Sequence, residues 1–285
     1  MKGDLKSILS KRLNSDELEV LIKSYDIIGD IGVIRIPEEL SEHKATIAGA
    51  IMLQHKHVKA VWRQSSPVSG PYRVRSLEWV GGEKRAQTIH KENGYSLKVD
   101  VQECYFSPRL GAERMRIAGL AEDSELVVNM FAGVGSYSIA IGKYSGARKT
   151  ISIDINPVAI NYMKENILLN RLVGKILPIL GDARTTIENS LKELADRVLM
   201  PLPHQAFEYL DSAVAAIRPP RGWIHYYEFE HACKGEDPTK AVKQRVADRL
   251  KDCSAKVVDM HSRIVKQTGP NWYQIALDVQ VEKQE

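Results

Sequence analysis

A short apolar run followed by a glycine-containing turn constrains the fold of this chain more than any other feature. Leu126-Val127-Val128 leads directly into Asn-Met-Phe-Ala-Gly-Val-Gly at residues 129–135, and a second apolar run ends in Asp154. A strand, a glycine turn, a helix and a strand with a terminal carboxylate are typical of chains that bind an adenosine-bearing cofactor. The glycines let the backbone approach the ligand, and the carboxylate accepts hydrogen bonds from ribose hydroxyls.

From Arg109 onward, helical and strand patterns alternate along the chain. Strands are predicted near residues 125–128, 150–153, 176–180, 197–200, 222–227, 256–265 and 273–281, and helices near 109–118, 137–143, 158–169, 204–216 and 239–251. This alternation predicts an α/β fold with a mostly parallel, Rossmann-like sheet and helices on both faces. The last two strands suit the antiparallel edge of a class I methyltransferase sheet.

The first hundred residues have a different pattern and predict a smaller α+β domain. Helical spacing in residues 1–24 is followed by a predicted strand-turn-strand at 27–36, a helix at 40–53 and a strand at 58–62. Asn93-Gly94, between alternating runs in residues 88–101, indicates a β-hairpin. We therefore expect one domain over residues 1–100 and a second over residues 101–285.

Bulk composition excludes several classes of protein. The chain has 285 residues, of which 44% are hydrophobic and 27% charged, as in ordinary globular proteins. No apolar run approaches the roughly 20 residues needed to cross a bilayer, and the N-terminus lacks a signal sequence. Cys104, Cys233 and Cys253 are far apart and show no metal-ligand spacing. The sequence thus predicts a cytoplasmic protein with reduced thiols, no metal and no membrane partner.

Basic residues are concentrated between Lys56 and Lys98. Nine lysines and arginines face three glutamates there, a local charge of 9 − 3 = +6, and four aromatic residues are interleaved: Trp62, Tyr72, Trp79 and Tyr95. Such a window suits phosphate neutralisation and base stacking. It equally suits a solvated lysine-rich face with core aromatics, and charge alone leaves both interpretations open.

The glycine turn favours S-adenosylmethionine over a dinucleotide. The dinucleotide pattern Gly-x-Gly-x-x-Gly fails because Ser138 occupies the third glycine position, and S-adenosylmethionine needs no pyrophosphate cradle. Asp182 follows the third predicted strand, where it could bind the adenine amino group. Either aspartate alone could instead cap a helix. Together, Gly133, Asp154 and Asp182 at successive strand ends predict one crevice.

Several stretches of the chain resemble one family. They are residues 105–114 (Tyr-Phe-Ser-Pro-Arg-Leu-Gly-Ala-Glu-Arg), 130–135, 154–157, 73–75, 89–95 and 224–227. Together they are similar to the archaeal and eukaryotic tRNA (guanine-N1) methyltransferases that act at position 37, which share their fold with the wybutosine-pathway aminocarboxypropyl transferases. The resemblance covers residues 5–283, and the family's tRNA-elbow domain is expected to be absent.

The resemblance implies methyl transfer from S-adenosylmethionine to guanine N1 in tRNA, without an obligate protein partner. It implies that Glu113 is the general base that removes the N1 proton, although Glu113 and Arg109 could instead form an intrahelical ion pair. Arg73 would stabilise charge on the guanine carbonyl, and Tyr105 would lie near the target base. The implied cofactor-binding residues are Arg114, Phe131, Gly133, Asp154, Ile155, Asp182, Ala183 and Pro201.

Two departures from the family keep other readings open. Asn129 stands where the family has aspartate, and Pro201 replaces an asparagine that contacts cofactor and target base. Proline offers neither a side-chain donor nor a backbone N–H. The sibling transferases also lack that asparagine, so aminocarboxypropyl transfer is the alternative reaction. A non-catalytic tRNA-binding homologue is the third interpretation.

Overall fold

The computed structural model describes residues 4–66, 70, 72 and 74–283. The chain forms two compact units, Met1–Ala112 and Glu113–Glu285. The division therefore follows residue 112, twelve residues after the boundary that the sequence pattern suggests. Among the described residues, no helix is long and apolar enough to cross a membrane.

Unit 1 packs three helices against a four-stranded sheet. The helices are α1 (Leu5–Leu9), α2 (Ser15–Val20) and α3 (Lys44–Gln54), and the strands are β1 (Tyr25–Ile28), β2 (Ile31–Ile34), β3 (Ala60–Gln64) and β4 (Leu77–Gly82). The sheet order is β1-β2-β3-β4, with β2 and β3 parallel. Its core is aliphatic and includes Leu9, Ile34 and Ile51.

A β-hairpin completes unit 1 and confirms the turn predicted at Asn93-Gly94. Strands β5 (Gln87–Glu92) and β6 (Tyr95–Asp100) pair antiparallel, and both turn residues have positive φ, 42° and 74°. Asparagine and glycine are the residues that tolerate this turn. β4 was not predicted, because its glutamate and paired glycines weaken a strand pattern. The helix predicted from residue 40 begins at Lys44, after a 3₁₀ turn over Glu38–His43.

Unit 2 contains a seven-stranded mixed sheet. In chain order its elements are α4 (Gly111–Leu120), β7 (Leu126–Asn129), α5 (Ser136–Tyr144), β8 (Lys149–Asp154), α6 (Pro157–Leu169), β9 (Ile176–Leu180), α7 (Ala183–Ser190), β10 (Arg197–Met200), α8 (Leu210–Ala216), β11 (Arg221–His231), α9 (Pro238–Asp252), β12 (Ala255–Gly269) and β13 (Trp272–Lys283). The strand order is β12-β13-β11-β10-β7-β8-β9.

This topology confirms the Rossmann-like α/β class. β11, β10, β7, β8 and β9 run parallel, whereas β13 is antiparallel to both β11 and β12. The chain steps outward from β7 to β9 and then returns to β10, so the order reverses beside β7. Ligands of open α/β sheets bind at the carboxyl ends of the strands at such a reversal. The helix α7 was not predicted, and α8 begins at Leu210 after a 3₁₀ turn over Ala206–Tyr209.

Candidate active site

The glycine turn after β7 binds directly to the carboxylate at the end of β8. Gly133 and Gly135 have φ of +55° and +85°, which favour glycine. A β-carbon at Gly135 would lie 2.7 Å from Met163 Cγ, so that position also lacks room for a side chain. The Gly133 amide donates to Asp154 Oδ2 at 2.6 Å, and the Asn156 amide donates to Oδ1 at 2.9 Å. Two of the predicted site residues therefore touch.

The Asp154 carboxylate retains capacity for further donors. Burial raises the pKa of Asp154, and the amides of Asn156 and Gly133 oppose that rise by binding the charged form. Each carboxylate oxygen can accept about two hydrogen bonds, so each has one acceptor position beyond its backbone partner. Ribose hydroxyls are the kind of donor that these positions accept.

Asp182 lies one strand further along the sheet and also caps a helix. Gly181 N donates to the Asp154 carbonyl at 3.0 Å, which joins the ends of β8 and β9. Asp182 Oδ1 accepts from Thr185 N at 3.0 Å as the N-cap of α7, and Oδ2 accepts from the Tyr209 hydroxyl at 2.8 Å. Burial opposes its ionisation, but these hydrogen bonds outweigh burial and lower the pKa of Asp182. The same contact, with burial, raises the pKa of Tyr209 to about 12.

Apolar side chains surround these carboxylates. Phe131 meets the Tyr209 ring edge-on, with centroids 5.1 Å apart, and Ala183 is buried in the first turn of α7. Ile155, directly after Asp154, is 45% exposed. Pro201 follows β10 on the other side of β7 and is partly buried. A flat aromatic ligand can pack against such surfaces.

Asn129, at the end of β7, carries an acceptor without a partner. Its side-chain nitrogen donates to Ser138 Oγ at 3.1 Å, and Ser152 Oγ donates to the same oxygen at 2.7 Å. Within the described part of the chain, Asn129 Oδ1 is buried with no hydrogen bond. A buried acceptor of this kind is satisfied when a donor reaches it. The Asp154 carboxylate can accept hydroxyl donors, the surrounding side chains are apolar, and Asn129 Oδ1 can accept a further donor. These features together fit an adenosine-bearing cofactor with a cationic amino group.

Glu113 lies in a separate, buried cluster of unit 2. Its carboxylate accepts from Arg116 (Nη2 to Oε1, 2.7 Å; Nε to Oε2, 3.0 Å) and from the Tyr227 hydroxyl (to Oε1, 2.7 Å). Arg263 Nη1 lies 3.6 Å from Oε2. The Glu113 side chain is only 2% exposed. Arg116 and Arg263 therefore compensate for the loss of hydration of its negative charge.

A series of polar contacts leads from Arg116 through Asp278 and His225 to Arg197. Arg116 binds Asp278 (Nη1 to Oδ2, 2.5 Å), Asp278 Oδ1 lies 2.5 Å from His225 Nδ1, and Arg197 Nη1 lies 2.6 Å from His225 Nε2. Because arginine can only donate, His225 is neutral with its proton on Nδ1. Burial lowers the pKa of His225, an effect that Arg197 and Arg116 reinforce and Asp278 opposes. His225 and Arg116 in turn lower the pKa of Asp278 against its own burial.

Two tyrosines connect the Glu113 cluster to the glycine turn. Tyr226 lies opposite Met200, the last residue of β10, so Tyr227 is at the carboxyl edge of the sheet. The Tyr227 ring lies 6.2 Å from the ring of Tyr137, which is in the first turn of α5 after Gly135. The buried carboxylate of Glu113 and the glycine turn are therefore linked through Tyr227 and Tyr137 within unit 2.

The remaining predicted residues are placed as follows. Arg114 is buried in α4 with 1% exposure, Tyr105 is 47% exposed in unit 1, and Arg73 lies outside the described residues. The intrahelical pair of Arg109 with Glu113 does not form. Arg109 Nε instead donates to Asp26 at 2.6 Å, because a 3₁₀ turn over Pro108–Leu110 precedes α4 and removes the four-residue helical spacing.

Unit 1 carries a basic groove beside the β5–β6 hairpin. The groove has a volume of about 870 Å³ and includes His57, Arg85, Lys91 and Lys98 among its lining residues. Lys98 lies opposite Ile89, an exposed apolar residue, on the hairpin. Arg85 is held by Asp30, so part of the local charge predicted from sequence is neutralised. Lysines flanking an apolar contact suit a nucleic-acid backbone with exposed bases.

Several partners of Glu113 were not identified from sequence. Tyr227 lies within the quoted stretch 224–227, but neither Arg116 nor Asp278 forms a sequence pattern with Glu113. A histidine within the apolar strand around His225 was the one available signal, since a fully buried histidine needs hydrogen-bond partners. Among the described residues, no three histidine, cysteine or acidic side chains gather as metal ligands.

Two domain families match the chain. The TRM5/TYW2 methyltransferase domain matches residues 88–260, and the TYW2 N-terminal domain matches residues 5–85. A relative from Pyrococcus abyssi, the tRNA (guanine(37)-N(1))-methyltransferase Trm5b, is 43% identical over 258 residues, which cover 90% of this chain and 74% of that protein.

Solved structures extend the similarity to the whole chain. The complex of aTrm5 with tRNALeu superposes with a TM-score of 0.82 at 38% identity and covers 100% of this chain and 79% of that one. The Methanocaldococcus jannaschii TYW2 structure in complex with AdoMet superposes with a TM-score of 0.70 at 27% identity, covering 92% and 100%. The similarity thus includes both methyltransferases and enzymes of the TYW2 type.

Proposed function

Because the chain belongs to the TRM5/TYW2 methyltransferase family, we propose that it methylates N1 of guanine at tRNA position 37. It is an S-adenosylmethionine-dependent enzyme, and its macromolecular partner is tRNA. Its 43% identity to a tRNA (guanine(37)-N(1))-methyltransferase, over nine-tenths of its length, carries this conclusion. The site supports it, since a buried carboxylate lies beside a turn suited to an adenosine-bearing cofactor.

The crevice at the ends of β7, β8 and β9 holds S-adenosylmethionine in this proposal. Asp154 accepts hydrogen bonds from the ribose hydroxyls, and Asp182 accepts from the adenine amino group. Phe131, Ile155 and Ala183 contact the adenine ring, while Gly133, Arg114 and Pro201 complete the site. When bound, the cofactor supplies a methyl group on a positively charged sulfur, which leaves as a neutral thioether once guanine N1 has taken the methyl.

Glu113 is the general base of the transfer. The N1–H bond breaks as the N1–methyl bond forms, and the proton passes to Glu113. Asp278 orients Arg116, and Arg116 and Tyr227 hold Oε1, so the carboxylate cannot rotate away from the base. The roles that the family resemblance implies for Tyr105 and Arg73 remain predictions.

The basic groove of unit 1 binds the tRNA backbone in this proposal. We also propose that the protein is cytoplasmic, together with its tRNA substrate. Lys91 and Lys98 neutralise phosphates, while exposed Ile89 contacts a base or sugar. Of the basic residues between Lys56 and Lys98, Lys91 and Lys98 therefore contact tRNA in this proposal. Arg85 instead has a structural role, since it is paired with Asp30.

Methylation of unmodified tRNA with guanine at position 37 tests this function. The purified protein is incubated with S-adenosylmethionine, and nucleoside mass spectrometry is expected to detect one added methyl group on that guanosine. Glu113→Gln is expected to slow methylation by about two orders of magnitude or more, with cofactor and tRNA affinity retained. A near-normal rate for that variant would remove Glu113 from the role of base.

Aminocarboxypropyl transfer is the second candidate, favoured by Pro201 and by the match to the TYW2 N-terminal domain. The same cofactor and crevice would serve, with a different carbon next to sulfur transferred. No methylation of guanine-37, but aminocarboxypropyl addition to tRNA with a tricyclic wyosine precursor, would establish this reaction. If neither substrate is modified although the cofactor binds, the protein would be a non-catalytic tRNA-binding protein.

A further inference from the structure

We propose that Arg263 is a further catalytic residue of this methyl transfer, binding the carbonyl oxygen O6 of the target guanine next to Glu113. The proposal rests on the proposed function and on Glu113 as the base. It assigns a role to a side chain of β12 that no sequence pattern identified. Four features of the Glu113 cluster support it.

A three-residue row across the sheet brings Arg263 to Glu113. Ala276 of β13 lies opposite Tyr227 of β11 on one side and opposite Arg263 of β12 on the other. Directly opposed residues of antiparallel strands point to the same face. Because the middle residue is alanine, the row leaves a gap between a tyrosine and an arginine, and both side chains reach the Glu113 carboxylate.

The two oxygens of Glu113 differ in their remaining capacity. Oε1 accepts from Arg116 and from Tyr227, which fills both of its acceptor positions. Oε2 accepts one hydrogen bond, from Arg116 Nε at 3.0 Å, and Arg263 Nη1 lies 3.6 Å away, beyond hydrogen-bond distance. The open acceptor position is therefore on Oε2, the oxygen that faces Arg263, and that is where a proton from N1 can be received.

The two arginines around Glu113 are held differently. Arg116 is 20% exposed, and its guanidinium hydrogen-bonds to both Glu113 and Asp278. Those hydrogen bonds raise its pKa although burial favours its neutral form. Arg263 is 46% exposed and donates no side-chain hydrogen bond within the described residues. Arg116 is thus a fixed support, whereas the donors of Arg263 are available to a ligand.

The Glu113–Arg263 pair matches the edge of guanine that reacts. Guanine presents the N1–H donor beside the O6 acceptor, which a carboxylate and a guanidinium read together. As the proton passes from N1 to Oε2 and the methyl bond forms at N1, negative charge moves from Glu113 toward N1 and O6. Because the Arg263 guanidinium lies beside Oε2, it is already next to the position where this charge develops. Arg263 therefore needs little rearrangement to stabilise the charge. Adenine presents the opposite donor and acceptor pattern on this edge, and the pair would disfavour it.

The test compares Arg263→Ala and Arg263→Lys with the wild type in single-turnover methylation at saturating enzyme and cofactor. We expect the Ala variant to react about 100-fold more slowly, as when one oxyanion donor is removed. Its tRNA Kd, measured by filter binding, should stay within about threefold, since O6 is one contact among many. The Lys variant should recover part of the rate, and added methylguanidine should partly rescue the Ala variant.

Arg221→Ala is the matched control. Arg221 is also a half-exposed arginine paired with a carboxylate, Glu282, but it is the first residue of β11, six residues before Tyr227. Its rate should equal that of the wild type, and melting temperatures of all variants verify folding.

An Arg263→Ala rate within threefold of the wild type would overturn the proposal, as would a loss confined to tRNA affinity with the saturating rate unchanged. Should the Ala variant fail to fold, Arg263→Lys decides, and a wild-type rate for it overturns the proposal. A wild-type protein that adds no methyl to guanine-37 refutes the proposed function itself, which separates the two failures.

Discussion

Replacing Asp154 with asparagine tests the cofactor site where its geometry is most restrictive. The Asp154 carboxylate accepts one backbone amide on each oxygen, Gly133 N on Oδ2 and Asn156 N on Oδ1. Asparagine has a single acceptor oxygen, and its nitrogen donates. Whichever way the amide is oriented, one backbone N–H therefore faces another donor at a position where the turn allows about 2.6 to 2.9 Å.

Two separate losses follow from this substitution. The backbone amide without an acceptor costs about 1–3 kcal/mol of folding free energy. A ribose hydroxyl that donated to a charged carboxylate loses about 1.5–3 kcal/mol of binding free energy. The second figure corresponds to an increase in cofactor Kd of about 10- to 150-fold. The first should lower the free energy of unfolding even without cofactor.

Calorimetric titration with S-adenosylmethionine and urea denaturation measure these two losses independently. Asp237→Asn is the matched control, because Asp237 caps α9 and both of its donors, Thr239 N and Thr239 Oγ1, bind the same oxygen, Oδ1. Asparagine can reproduce that arrangement. A cofactor Kd for Asp154→Asn within threefold of the wild type would refute the assignment of Asp154 to the ribose. An equal loss of cofactor affinity in the Asp237→Asn variant would also refute it.

Two further predictions concern the buried histidine and the basic groove. His225 has a lowered pKa in the folded protein, so the unfolded chain binds a proton first as pH falls below about 6.5. The free energy of unfolding should then fall, by up to about 1.4 kcal/mol per pH unit, until the lowered folded pKa is reached. His225→Gln should lack this part of the slope in urea denaturation between pH 7.5 and 5.5, and an unchanged slope would contradict the neutral, buried histidine. Lys91→Glu with Lys98→Glu should weaken tRNA binding and reduce the salt slope of log Kd by about one to two, as one or two lost phosphate contacts would. An affinity and slope equal to wild type would mean that the groove is only a solvated face.

The fold class followed from sequence because its signals are local. Apolar runs of strand length alternating with helical periods predict a parallel sheet whatever the tertiary detail. The positive φ values of Gly133 and Gly135, and the carboxylate of Asp154 at the end of the next strand, are likewise consequences of short stretches. For the same reason the contact between Gly133 and Asp154 could be anticipated, since neighbouring parallel strands end at one edge.

The surroundings of Glu113 were decided only by tertiary structure. Helical spacing favoured a pair with Arg109, but a 3₁₀ turn before α4 directs Arg109 to Asp26 instead. The hydroxyl that binds Glu113 comes from a tyrosine 114 residues away in the chain, and Arg263 reaches it from a different strand. Strand register fixes such contacts, and register depends on how a whole sheet assembles rather than on any local pattern. The sequence by itself therefore determined which carboxylate to suspect, and the folded sheet determined which of its oxygens is open and which cation lies beside it.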